Sequence, residues 1–380
     1  MQLFHQKLNE LAEQNLLRRI RSVPDCRLNC SSNDYLGLSL DYSLQAEFLQ
    51  SFSDRPLPLF GSTSSRLLCG DSEYHQSLEN TLAAAYQRAA LLFNSGYHAN
   101  IGILPALADP HTLILADKLV HASLIDGIRL AGCDYRRFRH NDMMQLARLL
   151  AEHSAHYRRI IIVSESIFSM DGDFAPLAEL VALKQQYGNV WLYLDEAHAI
   201  GVYGATGLGL AEQQNLLPHI DFLVGTFGKA AASIGAYLIC DEVIKDYLIN
   251  TMRPLIFSTA LPPLNIAWSE FIFRRLPQWQ NKRRHLAGIS HAAQDAEARL
   301  FDARAAAVAP VAEAPVDEHH QLVREDAEVR PLLVAGGAAH RRRRSPPAVT
   351  APDQALDLPR AKGERLAELE TRVRDSGAHR

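Results

Sequence analysis

From residue 89 onward the chain alternates short, almost wholly apolar runs with longer stretches of helical periodicity, and no other feature constrains the fold as much. The runs at 89–94, 112–116, 160–165, 190–195 and 222–226 read as strands, and the stretches at 96–107, 123–131 and 177–187 as helices. Strands this uniformly apolar are buried on both faces, which requires a mostly parallel sheet covered by helices on each side, an α/β fold. Ligands in such sheets bind beyond the carboxyl ends of the strands. Polar residues gather at those ends: Asn94-Ser95-Gly96, Asp117, Glu165-Ser166, Asp195 to His198, and Thr226 to Lys229. One short polar segment per strand end, all converging on one crevice, marks a site.

Composition narrows the function classes. At 380 residues, 47% hydrophobic and 22% charged, the chain is long enough for one large α/β domain with a smaller partner. The formal net charge of −4 supplies no basic field for nucleic acid. The arginine run at 341–344 has no interleaved aromatics, so no nucleic-acid partner is expected. No apolar run reaches the roughly 18 residues of a spanning helix, so no membrane partner is expected either. Residues 1–22 read as an amphipathic helix rather than a signal peptide, with Lys7, Glu10, Glu13, Arg18 and Arg19 among apolar residues. The five cysteines are scattered, and Cys26 and Cys30 have no matching second pair, so no metal site is expected. A reduced, cytoplasmic enzyme is the reading that follows.

The chemistry begins with the stretch VWLYLDEAH at 190–198, where an apolar strand delivers Asp195 and then His198. LDEAH also matches the acidic box of some nucleotide hydrolases, but that box works with a Gly-x-x-x-x-Gly-Lys-Ser/Thr loop. The pair Gly228-Lys229 is followed by Ala230, so that reading is excluded. Lys229 follows the strand at 222–226 and lies among small neutral residues. A lysine there is either snorkelling or a nucleophile of depressed pKa, able to form a Schiff base. Pyridoxal phosphate needs such a lysine, a carboxylate that keeps its pyridinium nitrogen protonated, and a phosphate cradle. Asp195 fits the carboxylate. Ser95, Gly96 and Tyr97 open a helix whose N–H groups can hold phosphate, and Thr226 adds a hydroxyl. His121, in KLVHAS, is placed to stack on the ring. Each residue alone also has an ordinary structural reading (a strand-end cap, a surface lysine, a helix-start histidine); the ordered set is far more specific.

The segments SSNDYLGLS, LLFNSGYHAN, DKLVHASLIDG, ESIFSMDGDFAPL, LDEAHAIGVYGATGLG, GTFGKA and FSTALPP resemble the α-oxoamine synthase family, a branch of the fold-type-I pyridoxal-phosphate enzymes. The resemblance runs from about residue 5 to about 288. It implies a PLP-dependent acyltransferase that condenses an amino acid with an acyl thioester and releases CO2. The compact N-terminus, RHNDM at 139–143 and Thr226-Phe227 before Gly-Lys favour the branch joining L-alanine to pimeloyl-CoA, or its acyl-carrier-protein equivalent, on the route to biotin. Glycine with acetyl-CoA or another acyl-CoA is the alternative within the family. The resemblance assigns Lys229, Asp195 and His121 to catalysis. It gives cofactor contacts to Gly96, Tyr97, Ser169, Asp195, His198, Thr226 and Lys229, with His198 meeting the phenolic oxygen. Arg18 and His121 would meet substrate, Arg18 taking the acyl carboxylate. The family's sites lie at a homodimer interface, and the small-residue loop at 61–66 suits close approach to a neighbour's cofactor phosphate.

Composition breaks near residue 290. Of 29 aromatic residues 28 precede position 291, and Leu, Ile, Val and Phe make up only 17 of the last 90 residues, too few to build a core. The expected division is an N-terminal helix and segment at 1–40, a large cofactor domain at 41–275, the start of a C-terminal domain at 276–290, and an Ala/Arg/Pro-rich tail at 291–380. The family's small C-terminal domain has no counterpart there. A disordered appendage and a shifted reading frame both account for the composition. Either makes a cofactor-binding but poorly active protein a second reading.

Overall fold

The apolar runs assemble into one seven-stranded sheet. The computed structural model describes residues 1–20 and 31–307, with 296–307 described as helix backbone only. In chain order the strands are β1 (Ala89–Phe93), β2 (Thr112–Asp117), β3 (Asp134–Phe138), β4 (Arg159–Glu165), β5 (Val190–Asp195), β6 (Phe222–Thr226) and β7 (Ala236–Cys240). The helices are α1 (Gln2–Glu13), α2 (Tyr42–Gln50), α3 (Glu73–Tyr86), α4 (Gly96–Leu107), α5 (Ala122–Ala131), α6 (Met143–His153), α7 (Leu177–Gln185), α8 (Leu210–Gln213), α9 (Glu242–Thr251), α10 (Arg253–Ile256), α11 (Pro263–Phe273) and α12 (Gln280–Ala307).

Strand order across the sheet is β1-β7-β6-β5-β4-β2-β3. Only β7 runs against its neighbours, pairing antiparallel with β1 and β6, while β2, β3, β4, β5 and β6 pair in parallel. The mostly parallel α/β fold read from the sequence is therefore the observed one. Every residue of β1, β2, β6 and β7 is buried, as helices covering both faces require. Strand β3 (DYRRF) is the exception, with four exposed residues at the sheet edge, where charge discourages a further strand. The chain leaves β2 toward that edge and returns past it to β4. The order thus reverses between β2 and β4, opening a crevice beyond the carboxyl ends of the central strands.

Local chemistry sets the helix starts around that crevice. Ser95 accepts from the His98 N–H at 3.1 Å and opens α4 directly after β1. Asp142, in the RHNDM segment, caps α6 through Gln145 N–H at 2.8 Å and pairs with Arg139 at 2.6 Å. The first helix is shorter than its pattern suggests. It stops at Glu13 because Asn15 turns left-handed (φ 55°) and Leu16 N–H closes back on the Leu11 carbonyl at 2.8 Å. No residue of α1 is buried. Helix α12 runs unbroken through position 290. The readings placed on Cys26, Cys30, the arginine run at 341–344 and the part of the tail beyond 307 lie outside the described residues. Among the described residues no helix is long and apolar enough to cross a membrane.

Helices α4 and α5 press together where Gly127 meets the first: a Cβ at Gly127 would sit 2.4 Å from the Asn100 carbonyl oxygen. Gly127→Val should lower unfolding free energy by about 1–3 kcal/mol in urea titrations, since α5 must move off α4. Gly188→Ala, where an added Cβ meets nothing within 4 Å, should change it by less than about 0.5 kcal/mol.

Candidate active site

Two carboxylates lie side by side at the end of the sheet. In the β4–β5 register Glu165 pairs with Asp195, and both are buried. Asp195 Oδ1 accepts the Ala197 N–H at 2.9 Å, and its Oδ2 accepts from Asn100 Nδ2 at 2.8 Å. Glu165 Oε1 accepts the His121 backbone N–H, which ties the start of α5 to the end of β4. Burial, then the neighbouring Asp195, pushes the Glu165 carboxyl up to about 8.

Lys229 stands on a closed hairpin between β6 and β7. Phe227 N–H donates to the Gly235 carbonyl and Ser233 N–H to the Phe227 carbonyl, each at 2.9 Å. Thr226 Oγ1 donates to the Gly235 carbonyl at 3.0 Å and accepts the Gly228 N–H at 3.1 Å. The lysine amine lies 2.6 Å from His198 Nε2. Burial pushes the lysine pKa down, while Asp195 and Glu165 pull it the other way. Burial, with Lys229 and His121 nearby, pushes His198 down to about 3, so its ring is neutral. The proton order follows. Lys229 donates to His198 Nε2, His198 Nδ1–H donates to the Tyr35 hydroxyl at 2.7 Å, and that hydroxyl donates to Asn33 Oδ1 at 3.1 Å. Burial raises Tyr35 to about 12, so its hydroxyl stays protonated.

Opposite the lysine is the N-terminus of α4. The first N–H groups of a helix have no intrahelical acceptor, and the dipole there favours an anion. Gly96 offers no side chain to block approach; a Cβ there would find only Thr226 Cβ, at 4.0 Å. A cavity of about 150 Å3 joins these parts, lined by Gly96, Tyr97, His121, Asp195, His198, Thr226 and Lys229, and also by Asn100, Ser123, Glu165 and Ala197. An amine, a strand-end carboxylate and a helix N-terminus with an adjacent hydroxyl, around one cavity, fit the aldehyde, pyridine nitrogen and phosphate of pyridoxal phosphate. Among the described residues no three His, Cys, Asp or Glu side chains gather to hold a metal.

The structure thus brings seven of the residues selected from sequence to one cavity. It leaves two elsewhere. Arg18 is exposed and does not line the cavity, and Ser169 sits partly exposed in the turn closed by the Ile167–Phe174 bridge. Asn100, Ser123 and Tyr35 were not singled out. The signal for Asn100 is its spacing, four residues after Gly96 and so on the same face of α4. Tyr35 belongs to the turn-rich segment SSNDYLGLS, and no local pattern ties it to a histidine 163 residues away.

The family model described as aminotransferase class I and II matches residues 27–292, and the chain belongs to this family. An 8-amino-7-oxononanoate synthase of Haemophilus ducreyi is 60% identical over 309 residues, spanning 76% of this chain and 79% of that one. A serine palmitoyltransferase of S. paucimobilis with bound PLP superimposes with a TM-score of 0.67 at 28% identity, over 76% of this chain and 77% of that one. An 8-amino-7-oxononanoate synthase of Francisella tularensis gives a TM-score of 0.58 at 29% identity, over 69% and 72%. The likenesses place the chain on the α-oxoamine synthase branch.

His198 is neutral when folded but takes a proton near 6.5 when unfolded. Its contribution to stability is therefore intact above about 6.5 and drains as pH falls toward about 3. Lys229→Met should raise the His198 pKa in an NMR titration by removing the adjacent positive charge. Between pH 7 and 4 the urea midpoint of the wild type should fall more steeply than that of His198→Gln.

Proposed function

We propose that this protein is a PLP-dependent acyltransferase that condenses L-alanine with a pimeloyl thioester, on CoA or acyl-carrier protein, in biotin biosynthesis. The products are 8-amino-7-oxononanoate, CO2 and the free thiol carrier. One observation carries the reading: Lys229, poised against a neutral His198, shares a cavity with Asp195 and the N-terminus of α4. The identity of 60% to a relative named 8-amino-7-oxononanoate synthase supports the choice of substrates.

When bound, pyridoxal phosphate supplies an electron sink that lowers the cost of removing the amino acid's Cα proton. Asp195 would keep the pyridine nitrogen protonated, its carboxylate steadied by Ala197 N–H and Asn100. Gly96, Tyr97 and Thr226 would hold the phosphate, and His121 would lie over the ring. His198, uncharged, is a hydrogen-bond partner for the phenolic oxygen rather than a competing cation. Lys229, with its pKa lowered by burial, is the base that takes the Cα proton and returns one at the end. In the net change the Cα–carboxylate bond and the thioester C–S bond break, a Cα–acyl bond forms, CO2 departs, and the thiol leaves with a proton drawn from solvent; the Cα–H bond broken at the start is remade at the end. A cytoplasmic setting agrees with the free thiols Cys69, Cys133 and Cys240 among the described residues.

Incubated with PLP, the protein should turn yellow, and Lys229→Ala should lose that absorbance band. Asp195→Asn should keep some cofactor but lose turnover by at least about 10²-fold, because a neutral amide cannot hold the pyridinium proton. Product analysis across amino acids and acyl thioesters should find L-alanine and the pimeloyl thioester preferred; preference for glycine with acetyl-CoA would move the chain to a sister activity.

The site is also expected to form at a homodimer interface. In the loop after residue 60, Arg66–Gly70 forms a single π-turn whose arginine is held by Asp71 at 2.8 Å and by Glu79. Ser62 is buried and donates to the Leu261 carbonyl at 2.6 Å, which leaves the half-buried Ser64 and Ser65 on a braced backbone, suited to a neighbour's phosphate. Light scattering at micromolar concentration should return twice the chain mass; a clean monomer would count against it.

A further inference from the structure

A chain of buried polar groups runs behind Asp195. Tyr193 lies two residues before Asp195 on β5, on the same face of the sheet, and is fully buried. Its hydroxyl donates to Asn100 Oδ1 at 2.6 Å. With Oδ1 so occupied, the Asn100 amide has one orientation. Its two N–H bonds reach Asp195 Oδ2 at 2.8 Å and Ser123 Oγ at 3.0 Å. The flipped amide would set a carbonyl oxygen against a carboxylate, which can only accept. Asn100 and Ser123 are each 1% exposed, so neither can exchange these partners for water.

Direction continues past Ser123. Its Oγ accepts from Asn100, so its own hydrogen is free for His121 Nδ1 at 2.8 Å. The Ser123 backbone N–H points at the same nitrogen, at 3.2 Å. Two donors converge on Nδ1 and leave no place for a proton there. A neutral His121 must carry its hydrogen on Nε2.

We propose that Asn100 is a positioning residue acting in two directions at once: it orients the Asp195 carboxylate, and through Ser123 it fixes His121 as the Nε2–H tautomer. Tyr193 sets the direction for both. The role given to Asp195 and His121 rests on the PLP reading above; the tautomer does not depend on it.

The first test uses the full chain without cofactor, labelled with 15N-histidine, and two-bond proton–nitrogen correlations from the imidazole ring. Wild type should show His121 protonated at Nε2 and bare at Nδ1. Asn100→Leu and Ser123→Ala should each draw the two nitrogen shifts toward one another as the tautomers mix. A wild-type His121 protonated at Nδ1, or a tautomer unmoved in both Asn100→Leu and Ser123→Ala, overturns the proposal. The second test titrates PLP into wild type and Asn100→Leu. The variant should bind at least about ten-fold more weakly, and the pH at which its visible band changes should shift, as a structural filler alone would not cause. An unshifted band pH overturns the Asp195 half. A wild type that takes up no PLP defeats the functional reading instead, and the tautomer measurement still decides this one.

Discussion

Sheltering a lysine from water is tolerable only when opposite charge stands close by, and the site is organised around meeting that condition. The carboxyl groups nearest it come from adjacent parallel strands, whose register sets Glu165 beside Asp195. Two carboxylates so close repel, and the repulsion with burial drives Glu165 toward its neutral form while Asp195 keeps its two donors. A slip of one residue between β4 and β5 would turn one of the pair to the other face of the sheet. The hydrophobic core thus acts on function through register. Ile160, Ile161, Ile162 and Val163 fill the sheet interior, and by locking β4 they fix where the charge falls.

Neighbouring letters of LDEAH do different work for the same reason. Side chains alternate along a strand, so Asp195 faces the cavity while Glu196 is turned inward and fully buried. Glu196 accepts from Ser166 Oγ at 2.8 Å and from the N–H groups of Leu210 and Ala211 at 3.0 and 2.8 Å. Burial still lifts it to about 7. Its carboxylate anchors the glycine-rich turn that follows, where a Cβ on Gly209 would fall 2.5 Å from Glu196 Oε2. Asp117 and Asp173 grip His140 from either side, at 2.9 and 2.6 Å, and bind the turn carrying Ser169 to the end of β2. Burial opposes charge on His140, but the two aspartates outweigh it and raise its pKa to about 10.

Central strands were legible in the sequence because burial on both faces leaves an uninterrupted apolar run. Strand β3 was not, since an edge strand written DYRRF carries the charges that protect an edge and looks like a turn. Strand β7, AYLIC, is apolar too but was not among the runs read as strands, and its reversed direction is a property of the hairpin at 227–235 before it, set by hydrogen bonds that Thr226 and Gly235 make in three dimensions. The site shows the same division. Strand-end residues announce themselves by breaking an apolar run, as Asp195 and Lys229 do. Asn100 and Ser123 lie inside helical patterns that an ordinary polar residue would satisfy equally well, and only their meeting across α4 and α5 gives them meaning. Arg18 was chosen by position in a resembling family, and its exposure in the described structure supplies no local partner.

The hairpin beneath Lys229 has a consequence for timing. Both of its stems are strands in the middle of the sheet, and its turn is laced shut by backbone hydrogen bonds. The amine therefore cannot be carried in or out of the crevice by a swinging loop. Its excursions are rotations about its own side-chain bonds, which take place in picoseconds to nanoseconds when unhindered. A group displaced from one partner and required at another a few ångströms away will arrive long before any domain can rearrange. Rotation of the lysine side chain is then too fast to set the pace of a cycle.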